Sequence, residues 1–267
     1  MTTRSRLDTE LVRRGLARSR DQAAELIAAG RVTVAGQTAA KAATQVSRGS
    51  AVAVSAAHVG PEYVSRGGHK LAGALAAFSG LAVAGRRCLD AGASTGGFTD
   101  VLLRAGAAHV VAVDVGYGQL AWSLRTDPRV TVLDRVNVRA LSPAQVAPPP
   151  EVVVADLSFI SLTLVLPALI GCAAPDADFA LMVKPQFELG KGRVGAGGVV
   201  RDPADRAEAV RSVCDAAKSL GLGVRGVTAS PLPGPAGNVE YFVWLRRGAP
   251  PLGEDDLLRA IETGPDA

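Results

Sequence analysis

The chain has 267 residues, of which 48% are hydrophobic, 20% charged and 4% aromatic. This length suits one large domain or a large domain with a small one, and the apolar fraction excludes a wholly disordered chain. No apolar stretch is long enough to cross a bilayer and none follows the first residues, so we expect a cytoplasmic protein without a signal peptide. The three histidines are scattered and the three cysteines lie far apart, which argues against metal sites and disulfides.

Positive charge is concentrated at the start of the chain. The formal net charge is +4, but residues 1–60 carry nine basic and four acidic residues, whereas residues 61–267 carry twenty and twenty-one. A small basic module on a near-neutral body predicts a domain that binds a polyanion such as nucleic acid. An ordinary solvated basic surface would show the same counts, so charge alone does not decide.

Residues 1–60 have the pattern of a compact α/β module. Leu7 and Leu11 recur at helical spacing before Gly15, and Ser19 is placed to cap a second helix. Short runs of β-branched residues follow, as expected of strands. The remaining predicted features are the end of the second helix at Gly30, strands at 32–34 and 51–54, a turn at Ala35-Gly36 and a linker over 61–68.

From residue 85 onward, short apolar runs alternate with helical patterns. Such alternation predicts an α/β fold with a parallel sheet and helices on both faces. The loop between the last two strands is too short for a crossover, so these strands are predicted to pair antiparallel. A parallel sheet closed by an antiparallel hairpin is typical of the class I methyltransferase variant of the Rossmann architecture. The predicted strands are 87–90, 109–115, 130–133, 151–156, 179–184, 223–229 and 240–245; the predicted helices are 97–105, 117–125, 161–173 and 203–220, and residues 248–267 are expected to form a short helix and a tail.

A stretch of small residues directly follows the first strand of this body and leads into a helix. Small residues let a ligand approach the backbone closely, and the helix N-terminus offers free N–H groups. Asp114, at the end of the second strand, is placed to bind ribose hydroxyls. Asp134, after the third strand, is placed to bind an adenine amino group. The predicted cofactor-binding residues are Asp90, Gly92, Ala93, Ser94, Thr95, Gly96, Gly97, Phe98, Asp114, Asp134 and Asp156.

Two kinds of cofactor suit such a loop. Dehydrogenases use the same arrangement of glycines, so the loop alone does not distinguish a nicotinamide cofactor from S-adenosylmethionine. An acid that opens the loop (Asp90), a further acid at Asp156 and the antiparallel closure of the sheet favour S-adenosylmethionine. On these residues alone, a dehydrogenase remains an open alternative.

Four charged residues, Lys70, Asp156, Lys184 and Glu240, are predicted to converge beside the cofactor. Methyl transfer to a ribose hydroxyl requires that oxygen to be aligned with the sulfonium methyl and its proton to be removed. A lysine acts as a base only in its neutral form, which burial or a neighbouring cation favours. Lys184 ends an apolar strand, an unusual place for a surface charge, and is our predicted base, with Lys70 as the neighbouring cation. Ordinary ion pairs at a sheet edge are the alternative.

These motifs resemble those of a known family. The body resembles the FtsJ/RrmJ-like 2′-O-ribose methyltransferases, whose Lys-Asp-Lys-Glu tetrad falls on the four residues named above. The stretches between Arg6 and Val32 resemble the ribosomal-protein-S-four-like RNA-binding module. In this order the two parts resemble the hemolysin-A-like (TlyA) rRNA methyltransferases, which further stretches match closely. Those stretches are 65–70, 89–99, 114–124, 155–161, 183–188 and 237–241. The domains that the resemblance implies are an RNA-binding domain at 1–60, a linker at 61–68, a methyltransferase domain at 69–247 and a C-terminal helix and tail at 248–267.

The resemblance implies S-adenosylmethionine-dependent 2′-O-methylation of cytidine in rRNA. Actinobacterial relatives of this length modify 16S and 23S rRNA at subunit-interface helices, and the methyl groups favour susceptibility to ribosome-binding cyclic peptide antibiotics. The implied partners are rRNA and ribosomal subunits, with no membrane and no metal; the oligomeric state is open, and a monomer is expected. One departure lies in the linker, where some relatives carry Arg and Trp at the positions of Pro61 and Tyr63.

Recognition of structured rRNA depends mainly on its shape, phosphates and 2′-hydroxyls, and arginine side chains suit the phosphates. A cytidine inside a helix must be flipped out to expose its 2′-oxygen. The segment 187–202, rich in Gly, Lys and Arg, is a candidate gate for this step or a flexible surface loop. The predicted RNA-binding residues are Arg4, Arg6, Arg13, Arg14, Arg18, Arg20 and Arg66.

Two functions from other classes are the alternatives. A non-catalytic RNA-binding or ribosome-assembly factor could keep the same fold, but the complete tetrad argues against it. A pore-forming hemolysin, suggested by the family's historical name, finds no support in a membrane span or a signal peptide.

Overall fold

In the computed structural model, the chain forms two compact units, Met1–Glu62 and Tyr63–Ala267, called the N-terminal and C-terminal units below. The structure describes residues 4–28, 30–34, 37–39, 41–54, 63–190 and 192–265. The predicted turn at Ala35-Gly36 and the start of the predicted linker, with Pro61, lie outside the described residues.

Both predicted helices of the N-terminal unit are present. Gly15 ends the first helix with a left-handed backbone (φ +70°), and the Ser19 hydroxyl caps the second by accepting from the Gln22 amide at 3.1 Å. Three strands escaped prediction because they are two or three residues long and largely polar. The elements are β1 (Arg4–Arg6), α1 (Leu7–Arg13), α2 (Arg20–Ala28), β2 (Val32–Val34), β3 (Gln37–Thr38), β4 (Gln45–Ser47) and β5 (Val52–Val54).

This unit buries a small apolar core of its own. Leu7 and Leu11 of α1 pack with Ile27 of α2 and with Val32 and Val46 of the strands. Strands β1 and β4 pair antiparallel, and β2 lies between β3 and β5 in a three-stranded sheet. The two helices are therefore held by burial of one face each against the short strands.

A seven-stranded sheet organises the C-terminal unit. Its strand order is β11-β12-β10-β9-β6-β7-β8; the strands from β10 to β8 run parallel, and β12 pairs antiparallel with both β10 and β11. The predicted parallel sheet with an antiparallel hairpin is confirmed, each strand lying within two residues of its predicted bounds. The strands are β6 (Arg87–Ala91), β7 (His109–Asp114), β8 (Val130–Asp134), β9 (Val152–Ala155), β10 (Asp178–Val183), β11 (Leu222–Ala229) and β12 (Tyr241–Arg247).

Helices cover both faces of this sheet. On one face α7, α9 and α10 bury a core with Leu89, Val153 and Leu181, and on the other α3, α4 and α5 bury one with Met182 and Phe242. Burial on both faces explains why the parallel strands are continuous apolar runs. The helices are α3 (Arg66–Ala77), α4 (Gly97–Arg104), α5 (Trp122–Arg125), α6 (Pro143–Val146), α7 (Leu166–Cys172), α8 (Pro185–Glu188), α9 (Pro203–Ser219) and α10 (Glu254–Glu262).

Two predicted helices are shorter than expected. The helix predicted over 117–125 begins only at Trp122, because Gly118 adopts φ +65° and the Asp114 carboxylate accepts the Gly116 amide at 2.7 Å, which holds a turn instead. The helix predicted over 161–173 begins at Leu166, where Pro167 fits the first turn, since its missing N–H has no partner there in any helix. Helices α6 and α8 were not predicted because four residues are too few to show a helical period.

The sheet topology brings the ends of the parallel strands to one edge. Because β12 runs antiparallel, its amino end lies at the same edge, and Val183 of β10 pairs with Tyr241 of β12. Lys184 and Glu240, each one residue beyond this pair, therefore leave the sheet side by side. Within the described residues, no helix has the length and apolar character required to cross a membrane.

Candidate functional site

A cavity of about 310 Å³ lies at this edge of the sheet. Three of the four predicted catalytic residues line it, namely Lys70, Asp156 and Lys184. The small-residue loop after β6 forms another wall. The loop residues that line the cavity are Gly92, Ala93, Ser94, Thr95, Gly97 and Phe98. A larger cavity of about 410 Å³, lined among others by Arg206 and Glu262, contains none of the predicted site residues.

Glycine is required in the loop because the backbone passes close to its neighbours. Gly92 and Gly96 adopt φ of +86° and +99°, which residues with a Cβ atom rarely adopt. A Cβ atom at Gly92 would overlap the Asp156 carbonyl oxygen, and one at Gly97 would lie 2.8 Å from the Gly68 amide nitrogen. The glycines therefore let the loop pack against the segment after β9 and against the start of α3, and the approach of a ligand to this backbone stays a prediction.

Two of the predicted acids hold the loops at the strand ends. The Asp114 carboxylate accepts the Ser94 amide at 2.8 Å, which joins the ends of β6 and β7. Asp134 at the end of β8 pairs with Arg125 at 2.6 Å, and this guanidinium lowers the pKa of the Asp134 carboxyl. Neither acid lines the cavity, so contacts with ribose and adenine stay predictions for them.

Asp90 lies beneath the loop rather than in the cavity wall. Its side chain is completely buried, and Oδ2 accepts the Thr99 hydroxyl at 2.6 Å, while Oδ1 has no hydrogen-bond partner among the described residues. Burial, with the negative charges of Asp156 and Asp114, raises the pKa of Asp90 to about 7 against the opposing hydrogen bond from Thr99. Direct contact of Asp90 with a cofactor stays a prediction, whereas its support of the loop is visible.

The predicted catalytic residues form two adjacent ion pairs. Lys184 Nζ lies 2.6 Å from Asp156 Oδ1, and Lys70, in the second turn of α3, forms a hydrogen-bonded ion pair with Glu240. Lys70 and Glu240 are buried, and Asp156 is the most accessible of the four. Each lysine is therefore neutralised by an acid from a different element. The sequence predicted the four residues only as a group, without these pairings.

Two residues next to Asp156 were missed as site residues. The Ser158 hydroxyl accepts a hydrogen bond from Lys184 Nζ at 3.0 Å and lines the cavity. Phe159 is 92% exposed with φ +64°, and its ring centroid lies 5.3 Å from that of Phe187. The matching stretch 155–161 was a signal for both, but their exposure and partners are not visible in a sequence.

The residues around the start of α3 complete the cavity wall. Arg66, a predicted RNA-binding residue, lines the cavity and donates to the Pro233 carbonyl oxygen at 2.5 Å. Tyr63, where some relatives carry Trp, packs edge-on against His69 with ring centroids 5.1 Å apart and lies under the Arg104 guanidinium. The aromatic character of position 63 is thus used within the C-terminal unit.

The predicted arginines of the N-terminal unit are organised by two buried acids. Asp8 pairs with Arg6 at 2.8 Å and Arg20 at 3.1 Å, and these guanidinium groups hold its pKa well below the usual range. Glu10 pairs in the same way with Arg13 and Arg14. Most of the predicted RNA-binding arginines here are exposed to solvent, namely Arg4, Arg6, Arg13, Arg18 and Arg20, whereas Arg14 is half-buried.

Two family models match the chain: FtsJ-like methyltransferase over residues 63–247 and S4 domain over residues 5–52. The chain belongs to the FtsJ-like methyltransferase family. This membership confirms the resemblance stated from the motifs and removes the dehydrogenase alternative.

Full-length relatives share both parts of this FtsJ-like methyltransferase. The 16S/23S rRNA (cytidine-2′-O)-methyltransferase TlyA of Mycobacterium tuberculosis is 62% identical over 270 residues, covering 99% of this chain and 100% of its own. Hemolysin A of Brachyspira hyodysenteriae is 36% identical over 89% of this chain and 98% of its own.

Solved structures agree with the fold of this FtsJ-like methyltransferase. A hemolysin-named protein from Streptococcus thermophilus has a TM-score of 0.76 at 35% identity and covers 98% of this chain and 96% of its own. A second hemolysin-named protein, from Lactococcus lactis, has a TM-score of 0.71 at 43% identity over 75% of this chain and 97% of its own.

Proposed function

We propose that this FtsJ-like methyltransferase transfers a methyl group from S-adenosylmethionine to the 2′-hydroxyl of cytidine in rRNA. The observation that carries the proposal is the convergence of two lysine–acid pairs, Lys184–Asp156 and Lys70–Glu240, on the cavity beside the loop after β6. The 62% identity to a relative named for this reaction supports the substrate class.

The cavity suits S-adenosylmethionine. When bound, this cofactor supplies an electrophilic methyl group on a positively charged sulfur. Gly92 and Gly97 line the cavity without side chains, and Asp156 places negative charge in the same wall. Asp114 and Asp134, at the ends of the next strands, would hold the ribose and the adenine.

Lys184 is the base of the proposed reaction. Its amine accepts the proton of the 2′-hydroxyl, and Asp156 at 2.6 Å stabilises the resulting ammonium. The Lys70–Glu240 pair keeps a second cation beside the cavity without a net buried charge. These four residues align and deprotonate the hydroxyl, which is the help that methyl transfer requires from a protein.

The substrate surface combines charge with an exposed aromatic ring. The exposed arginines of the N-terminal unit suit phosphate contacts, and Phe159 offers a free face on which an unstacked base can lie beside the cavity. The M. tuberculosis relative is named for 16S and 23S rRNA, and the 34% identical Campylobacter jejuni relative for 23S rRNA. We propose both rRNAs at subunit-interface helices as substrates here, and that their methylation favours susceptibility to ribosome-binding cyclic peptide antibiotics.

Tritiated methyl transfer to separated, unmodified ribosomal subunits tests this function. We expect 2′-O-methylcytidine in rRNA from both subunits, mapped by nuclease digestion and mass spectrometry. Lys184→Ala should lower the transfer rate by about 100-fold or more, because general-base help of this kind contributes about 10²–10⁴-fold. Its RNA affinity should be unchanged. Binding of rRNA without any methyl transfer by the unaltered protein would instead identify a non-catalytic assembly factor.

A further inference from the structure

The Lys184 amine is held by two acceptors rather than one. Its side chain is 9% exposed, and Nζ lies 2.6 Å from Asp156 Oδ1 and 3.0 Å from Ser158 Oγ. Asp156 belongs to the predicted tetrad, whereas Ser158 does not. The serine engages a second N–H of the amine, and the question is what this bond adds to a lysine that must act as a base.

The answer follows from the geometry of a neutral amine. A neutral lysine amine carries two N–H bonds and one lone pair in a tetrahedral arrangement. With one acceptor only, one N–H bond points to it and the lone pair can take either of the two other staggered positions about the Cε–Nζ bond. With two acceptors, both N–H bonds are engaged and the lone pair occupies the one remaining direction.

We propose that Ser158 is a positioning residue that directs the lone pair of the Lys184 amine towards the substrate hydroxyl. Asp156 and Ser158 accept the two N–H bonds, and the third direction receives the proton of the 2′-hydroxyl. The inference rests on the proposed function, in which Lys184 is the base, and adds to it the residue that orients this base.

The loop that carries Ser158 is anchored firmly enough for this role. One end is tied to Lys184 through Asp156, and at the other end Glu188 accepts the Ser161 hydroxyl at 2.5 Å and the Leu162 amide at 2.9 Å. Lys184 directly precedes the short helix α8, and Glu188 ends it. One rigid segment therefore sets the position of the hydroxyl relative to the amine from which it accepts.

Ser158 has no comparable structural task. Its side chain is exposed, and its bond to Lys184 is the one hydrogen bond that its hydroxyl makes among the described residues. Removal of the hydroxyl leaves no buried cavity and no buried unpaired group. The Ser158→Ala protein is therefore expected to fold like the unaltered chain, so that a loss of rate can be assigned to the amine.

Single-turnover methylation by Ser158→Ala, Ser158→Thr and the unaltered full-length chain tests the proposal on unmodified ribosomal subunits. We expect Ser158→Ala to lower the single-turnover rate and kcat by about 10- to 100-fold, the range expected when a reacting group is misplaced. The KM values for S-adenosylmethionine and for subunits should stay within about twofold, and Ser158→Thr, which keeps the hydroxyl, should restore most of the rate. Ser219→Ala, an exposed serine on α9, is the matched control.

The outcomes separate this inference from the proposed function. The role of Ser158 is overturned if Ser158→Ala keeps a rate within about twofold of the unaltered chain, or if Ser158→Thr loses as much rate as Ser158→Ala. In either case, an inactive Lys184→Ala protein would still support Lys184 as the base. A loss confined to KM overturns it as well, because it would make Ser158 a binding contact. If Lys184→Ala keeps full activity, the assignment of the base fails and this inference fails with it.

Discussion

At the scale of single residues, the protonation of the Asp90 carboxyl is coupled to folding. Burial raises its pKa to about 7 from an ordinary value of 3.8, so between these pH values the folded state binds a proton that the unfolded state has released. Stability contributed by this group is therefore present below about pH 4 and is lost progressively as the pH rises towards 7.

The variant Asp90→Asn tests this linkage. The amide cannot ionise, so the free energy of unfolding of the variant should fall less between pH 4 and pH 7 than that of the unaltered chain. Urea unfolding followed by circular dichroism at several pH values measures both slopes, and other titrating groups cancel in the comparison. Equal slopes for the two proteins would show that Asp90 titrates at its ordinary pH in the folded state.

At the scale of elements, Asp178 ties together three segments at the edge of the sheet opposite the cavity. It begins β10, is almost completely buried and accepts bonds from Trp244 Nε1 on β12 and from Arg86 Nη1 before β6, each at 2.8 Å. Asp178→Ala leaves these two donors, and Arg246 Nη1 at 3.4 Å, without this acceptor and should lower the free energy of unfolding by about 3 kcal/mol.

Chemical unfolding of Asp178→Ala measures this loss, with Asp178→Asn as the matched variant that keeps an acceptor for Trp244 and should lose less. Methyl transfer per folded molecule should be unchanged, because the residue lies at the start of its strand and the cavity at the other end. A loss below about 1 kcal/mol for the alanine variant would mean that water satisfies the two donors.

At the scale of the whole molecule, we propose that the N-terminal unit binds RNA and the C-terminal unit transfers the methyl group. The C-terminal unit has its own core on both faces of the sheet and contains the complete cavity, whereas the N-terminal unit has a separate core and the exposed arginines. Removal of residues 1–62 should therefore abolish most rRNA methylation and change the Kd for S-adenosylmethionine by less than about threefold, since binding to RNA depends mainly on phosphate contacts.

Calorimetric titration measures the Kd for S-adenosylmethionine, and methyl-transfer assays at several salt concentrations measure rRNA methylation. In the full chain, the double variant Arg6→Ala with Arg20→Ala should reduce the slope of log affinity against log salt by about one for each phosphate that the variant no longer binds. Equal losses of cofactor binding and methylation on truncation would show that the N-terminal unit stabilises the C-terminal unit rather than holding RNA.

Local patterns predicted most of the architecture for a physical reason. The Val-Val-Val-Ala run of β9 is apolar because that strand is buried on both faces, and the short loop before β12 excludes a crossover. The failures have physical reasons too. The helix predicted over 117–125 is interrupted by Gly118, and α8 is too short to show a period.

The catalytic roles of the four tetrad members stay predictions. The family was predicted from the resemblance of its motifs, and local patterns predicted the α/β alternation and the glycine loop. Local patterns could not predict which lysine pairs with which acid, since that depends on the register of β10 against β12 and on where α3 packs. The same holds for the complete burial of Asp90 and for the bond between Ser158 and Lys184. Such contacts join residues far apart in the chain, so they exist only once the chain has folded.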